Sequence, residues 1–135
     1  MVATLPIEYQ RRFSIQVYWA SHGLLLLRSH KSEQHSTRID ILFTDVRWMA
    51  LPVWLDGVQI EHGKLLDIPI PLTAKIKEEA HFMTTFKLVS QGVTHFVLAG
   101  KNVLMAEDQN DYGQDSSLMP NHDFHAFVAP LWKNP

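Results

Sequence analysis

The densest group of side chains able to do acid–base or metal chemistry is His122-Asp123-Phe124-His125. A neutral imidazole offers one nitrogen that can bind a metal or take a proton near neutral pH. On a helix, His122 and His125 stand three apart on one face and can share an ion. On a strand they point to opposite faces. With Asp123 they form a candidate metal site, and the centre of a metal-assisted or acid–base enzyme once a neighbouring strand adds a ligand. The competing reading is the polar end of a loop. His30 and His35 lie in the polar stretch 29–37 and read as solvated. His62 and His95 adjoin strands and read as hydrogen-bonded structural groups.

The stretch Asp108-Gln109-Asn110-Asp111-Tyr112-Gly113-Gln114-Asp115 begins like a calcium loop, with acidic or amide side chains and a glycine in the expected order. Tyr112 brings no carboxylate, however, and Met119 stands where the bidentate Glu is required. It reads as a solvated acidic loop. Ser21, His22 and several aspartates make a hydrolase triad on paper, but triads are defined by geometry and not by order in the chain. No glycine-rich phosphate loop, nucleophile elbow or H-E-x-x-H pair occurs. The chain has no Cys, so thiolate ligands and cysteine nucleophiles are excluded. No cofactor is expected.

A different kind of signal comes from Trp48-Met49-Ala50-Leu51-Pro52-Val53-Trp54-Leu55, an apolar run without a charge. Pro52 cannot donate to a central ladder and belongs on an edge strand. An edge strand that is apolar on both faces must be covered, by its own chain or by a partner. Trp is also enriched at interface hot spots. Trp48, Met49, Val53 and Trp54 are therefore candidate partner-binding residues, with another protein or a second copy of this chain as the partner. The competing reading places both tryptophans in the core beneath a helix.

The elements that position these residues follow from periodicity. Leu5, Tyr9 and Phe13 are spaced for a short N-terminal helix, and Thr4 and Pro6 suit its entry. In 13–19, Phe13, Ile15, Val17 and Trp19 alternate with polar residues, the signature of a strand with those four facing inward. Ser21-His22-Gly23 is a turn, and the apolar run 24–27 is the second strand of an antiparallel hairpin. Residues 38–43 form a strand with Ile39, Ile41 and Phe43 inward, followed by a turn or bulge at Thr44-Asp45. Asp56-Gly57 reads as a type I′ hairpin turn between 46–55 and a returning strand 58–61. Thr73 caps a long amphipathic helix over 73–91, with Gly92 as its stop. A rival reading ends that helix near Phe82 and makes 84–89 a strand. Residues 93–99 and 102–106 form a last hairpin across Gly100-Lys101. An acidic loop over 107–123 and a short element at 124–132 complete the chain.

The expected class is α+β: a hairpin-rich antiparallel sheet of about five to seven strands, packed by the 73–91 helix and a short N-terminal helix. The chain of 135 residues, 46% apolar and 19% charged, fits a single globular domain over 1–135. The first 13 residues hold no apolar core of a signal peptide, and no run approaches a membrane span, so a cytoplasmic protein without membrane contact is expected. The net charge is −2, and no basic cluster exceeds Arg11-Arg12, so nucleic acid is not an expected partner. These features point to a small non-enzymatic interaction module that associates with itself or a protein partner. The alternative is the enzyme built around His122, Asp123 and His125.

Overall fold

The computed structural model describes residues 1–110 and 115–118. Its strands are β1 (Ile7–Trp19), β2 (Leu24–Ser29), β3 (Arg38–Phe43), β4 (Trp48–Ala50), β5 (Trp54–His62), β6 (Thr84–Ser90), β7 (Val93–Ala99) and β8 (Val103–Asp108). The only α-helix among the described residues is α1 (Ala74–Ala80). All eight strands join one antiparallel sheet in the order β4-β7-β6-β5-β1-β2-β3-β8.

This is an antiparallel β architecture, not the expected α+β sheet packed by a long helix. The N-terminal helix is instead the first half of β1. The spacing of Leu5, Tyr9 and Phe13 is a multiple of both two and four, so it suits one face of a strand as well as a helix. All three pack against the main core. Thr73 does cap α1, accepting a hydrogen bond from the Ile76 N–H at 3.3 Å, but the helix ends at Ala80. Residues 84–90 form β6, which is hydrogen-bonded on both sides, to β5 and to β7. Two ladders and the β-branched Thr84, Thr85 and Val89 outweigh one amphipathic turn.

Two turns also moved. Asp56-Gly57 lies inside β5, where Gly57, at φ 76°, sits opposite an irregularity in β1 between Tyr9 and Arg12. The two-residue turn with both φ values positive is Gln91-Gly92, between β6 and β7. Gly100-Lys101 does not close a hairpin, because β8 pairs with β3. The hairpin of β1 and β2 is present as expected, with β1 starting earlier, at Ile7.

Residues 100–102 link β7, second from one edge of the sheet, to β8 at the other edge. So short a link requires the sheet to roll up on itself. At this end the backbone joins the close of β7 to the close of β3: Gly100 N–H donates to Thr44 O at 2.8 Å. Across the interior, the rings of Phe43 on β3 and Phe86 on β6 meet edge-on with centroids 5.4 Å apart. The enclosed core holds Phe13, Leu25, Leu27, Ile39, Ile41, Phe43, Ile60, Leu88 and Val97, all buried. Among the described residues no helix is long and apolar enough to cross a membrane.

A bulge in β1 between Ile15 and Val17 changes which face its residues use. Phe13 and Ile15 point into the main core, while Val17 joins a second cluster with Leu26 and Leu42 on the outer face. The expected common face of Phe13, Ile15, Val17 and Trp19 is therefore divided.

Candidate anion-binding cleft

The apolar run 48–55 does not form one surface. Trp48 packs with Phe96, Leu98 and Ile68 on the outer face, beneath Ile76 and Ala80 of α1. Met49, one residue on, points the other way and packs against the main core. Val53 and Trp54 remain 60% and 58% exposed. Of the four candidate partner-binding residues, two are packed against their own chain and two face solvent. His122, Asp123 and His125 lie outside the described residues. Among the described residues no group of three or more histidines and carboxylates is placed to hold a metal ion.

Trp54 instead belongs to a site that the sequence did not announce. Ser14 on β1 pairs directly with Trp54 on β5 and with Arg28 on β2. Arg28 in turn pairs with Asp40 on β3. Trp54, Ser14, Arg28 and Asp40 thus form one row across four adjacent strands, on the face opposite the core residues Leu27, Ile39 and Ile41. Over this row opens a cleft of about 340 Å³, whose lining includes Trp54, Ser14, Arg28, His30 and Lys31. Arg11, Arg12 and His35 also line it, and among the described residues no carboxylate does.

Carboxylates stand behind the basic groups and orient them. Asp40 takes two hydrogen bonds from Arg28, Nε to Oδ1 at 2.7 Å and Nη2 to Oδ2 at 3.1 Å. Both side chains are withdrawn from water, 3% and 0% exposed. Such a fork-to-carboxylate pair fixes the guanidinium plane as well as its charge. Arg38, also buried, approaches Asp40 at 3.7 Å and Asp108 at 3.4 Å, and donates to Asp115 O at 3.1 Å. The buried guanidiniums and carboxylates alternate, as charges taken out of water must.

One wall of the cleft is formed by His30, Lys31, Ser32, Gln34 and His35, from the irregular chain 30–37. Arg11 fastens both of its ends. Its Nε donates to Ser29 Oγ at 2.7 Å, and its Nη2 donates to His30 O at 3.1 Å and Thr37 O at 2.6 Å. Thr37 Oγ1 donates onward to Glu107 at 2.5 Å. Burial lowers the Arg11 pKa from its usual range, and the Glu107 charge pulls it back. Lys31 Nζ donates to Gln109 O at 2.7 Å. Burial and the Arg28 charge push the His30 pKa below the usual histidine value, so a neutral imidazole is favoured there.

At the opposite wall, Arg12 lies over the Trp54 ring, 5.0 Å from its centroid, and donates to Asp56 Oδ1 at 2.5 Å. That hydrogen bond holds the Asp56 carboxyl below the usual carboxylate range. The cation–π contact and the ion pair together restrain an indole that is still open to water.

Sequence reading missed Arg28, Ser14, Arg11 and Lys31. One signal was present: Arg28 follows four leucines in 24–29, and Asp40 stands among Ile39, Ile41, Leu42 and Phe43 in 38–43. A charge inside such a run needs a buried partner, but only the strand register says which one. No family model, curated protein or solved structure matches this chain.

Proposed function

We propose that this chain is a binding module whose cleft over β5, β1 and β2 captures a small anionic molecule. The observation that carries the reading is the lining itself: three arginines, a lysine and two histidines, with no carboxylate in it among the described residues. Two arginines are fixed before any ligand arrives, Arg28 by Asp40 and Arg11 by the ends of the 30–37 chain. Preorganised donors lose little freedom on binding, so more of the interaction energy appears as affinity. The small net charge of −2 suits a local cationic site better than a broad nucleic-acid footprint.

Isothermal titration with inorganic phosphate at low salt tests this reading. Saturable one-to-one binding is expected, weakened at least tenfold in Lys31→Glu and reduced as salt rises. No saturable binding of phosphate at millimolar concentration would overturn it.

A further inference from the structure

We infer that the anion carries a flat aromatic ring, and that a phosphate bearing a heteroaromatic ring, of nucleoside monophosphate size, is the class of ligand this cleft takes. The inference rests on the anion-binding reading above and adds the half of the ligand that charge alone does not specify.

Ser14 stands between Trp54 and Arg28, paired directly with each. Adjacent strands lie about 4.8 Å apart, so the indole and the guanidinium are rooted roughly 10 Å from one another. Between them the sequence places one of the smallest polar side chains. A large residue at position 14 would fill this gap, whereas serine leaves a trough with an aromatic wall and a cationic wall.

The two walls have different chemistry and each is fixed. Trp54 is held by the Arg12 guanidinium 5.0 Å above its ring, yet it is 58% exposed on a strand whose neighbour Leu55 is buried. A large exposed aromatic beside a cleft is a stacking platform, and stacking on such a ring tolerates any base because every base has a π face. At the far wall, Asp40 occupies Nε and Nη2 of Arg28. Among the described residues no hydrogen bond engages its Nη1. Ser29, His30, Lys31 and Ser32, on the chain that follows Arg28, complete this end of the lining. A lining that combines guanidinium, ammonium, imidazole and hydroxyl groups suits a tetrahedral phosphate better than a planar carboxylate, which presents only two oxygens.

Size agrees with this division. A volume of about 340 Å³ lies at the lower end of the range for small-molecule sites, roughly 300–1,000 Å³. A bare phosphate fills a small part of it. A ring and a phosphate separated by one sugar reach from Trp54 to Arg28.

The test compares adenosine monophosphate, inorganic phosphate and adenosine by isothermal titration against the full chain at low salt. Adenosine monophosphate should bind at least tenfold more tightly than phosphate, and should quench tryptophan fluorescence on binding. Trp54→Ala, checked for an unchanged circular dichroism spectrum, should bring the nucleotide down to the affinity of phosphate while leaving phosphate itself unaffected. Ser14→Leu should abolish the nucleotide advantage by filling the trough. Equal affinities for nucleotide and phosphate, or nucleotide binding indifferent to Trp54→Ala, would overturn the aromatic inference and leave the anion reading standing. If neither phosphate nor nucleotide binds, both fall.

Discussion

The rolled sheet buries its outer face in two places, by opposite means. Over β7 and β4, the apolar side chains Phe96, Leu98 and Trp48 are covered by Ile68, Leu72, Ile76 and Ala80 from the excursion between β5 and β6. Over β2 and β3, the buried groups next to Leu26 and Leu42 are Arg28, Asp40 and Arg38, held by hydrogen bonds and ion pairs. Apolar cover is non-directional, so its contribution follows area and shape. Ionic cover is directional and loses most when one member is removed, because the other is left charged and dry. The first kind of cover only closes a surface. The second also fixes where a guanidinium stands, as a binding site needs.

The largest effect is expected when one carboxylate is removed. Asp40→Ala leaves Arg28 and Arg38 buried beside a gap, and should cost about 3–5 kcal/mol in urea denaturation. Replacing both members, Arg28→Met with Asp40→Leu, should recover most of that stability while abolishing phosphate binding. A double variant as unstable as the single one would show that the ion pair is not what holds this face.

On the apolar side, Leu98→Ala should cost about 2–4 kcal/mol, within the range for truncated core leucines. Phosphate affinity should not change, because Leu98 lies on the other half of the sheet. A loss of binding there would mean that the two faces are not independent.

A smaller effect separates the two halves by pH. His30 beside the cleft and His95 on β7 both have pKa values below the usual histidine value, His30 by burial and then the Arg28 charge, His95 by burial alone. The unfolded chain therefore binds more protons than the folded one as pH falls below about 6.5, so stability is lost in that direction. Denaturation curves between pH 7.5 and 5.5 should show the decline, flattened in His30→Gln and in His95→Gln. Added salt should weaken the His30 contribution, which is partly Coulombic, more than that of His95. A pH slope unchanged in both variants would remove the histidines as its cause.

The smallest expected effect is at the exposed pair. Arg12→Ala removes the ion pair with Asp56, but both side chains are more than half exposed, and stability should stay within the error of the measurement. What should change is the Trp54 emission, since the guanidinium over its ring is lost.

Local pattern made several elements legible. Residues 38–43 and 93–99 were read with the bounds that β3 and β7 have, because alternation or a short apolar run between turn residues has few other solutions. Thr73 was legible as a cap from its type and position. The same local reasoning failed where two periods coincide, as in Leu5, Tyr9 and Phe13, and where a segment gains partners on both sides, as in β6. It also assigned Asp56-Gly57 to a hairpin, because a positive φ at glycine serves a strand irregularity as readily as a turn. Of the run 48–55, Trp48, Met49, Val53 and Trp54 read alike in the sequence, whereas Trp48 and Met49 are packed against their own chain and Val53 and Trp54 are exposed. The sequence could not say what stands beside Trp54.

Local sequence was enough for several strands of the first half of the chain, for core candidates such as Phe13, Ile39 and Phe43, and for the start of the helix. Those properties depend on side chains a few positions apart, and on the repeat of two or of 3.6 that links them. The rolling of the sheet, the pairing of β8 with β3, and the row Trp54–Ser14–Arg28–Asp40 arise from contacts between distant strands. A strand that slips by one residue turns every side chain to the other face, and the irregularities at Tyr9–Arg12 and Ile15–Val17 do this within β1. Their positions follow from how several distant strands fit together at once, so no local stretch of sequence contains them.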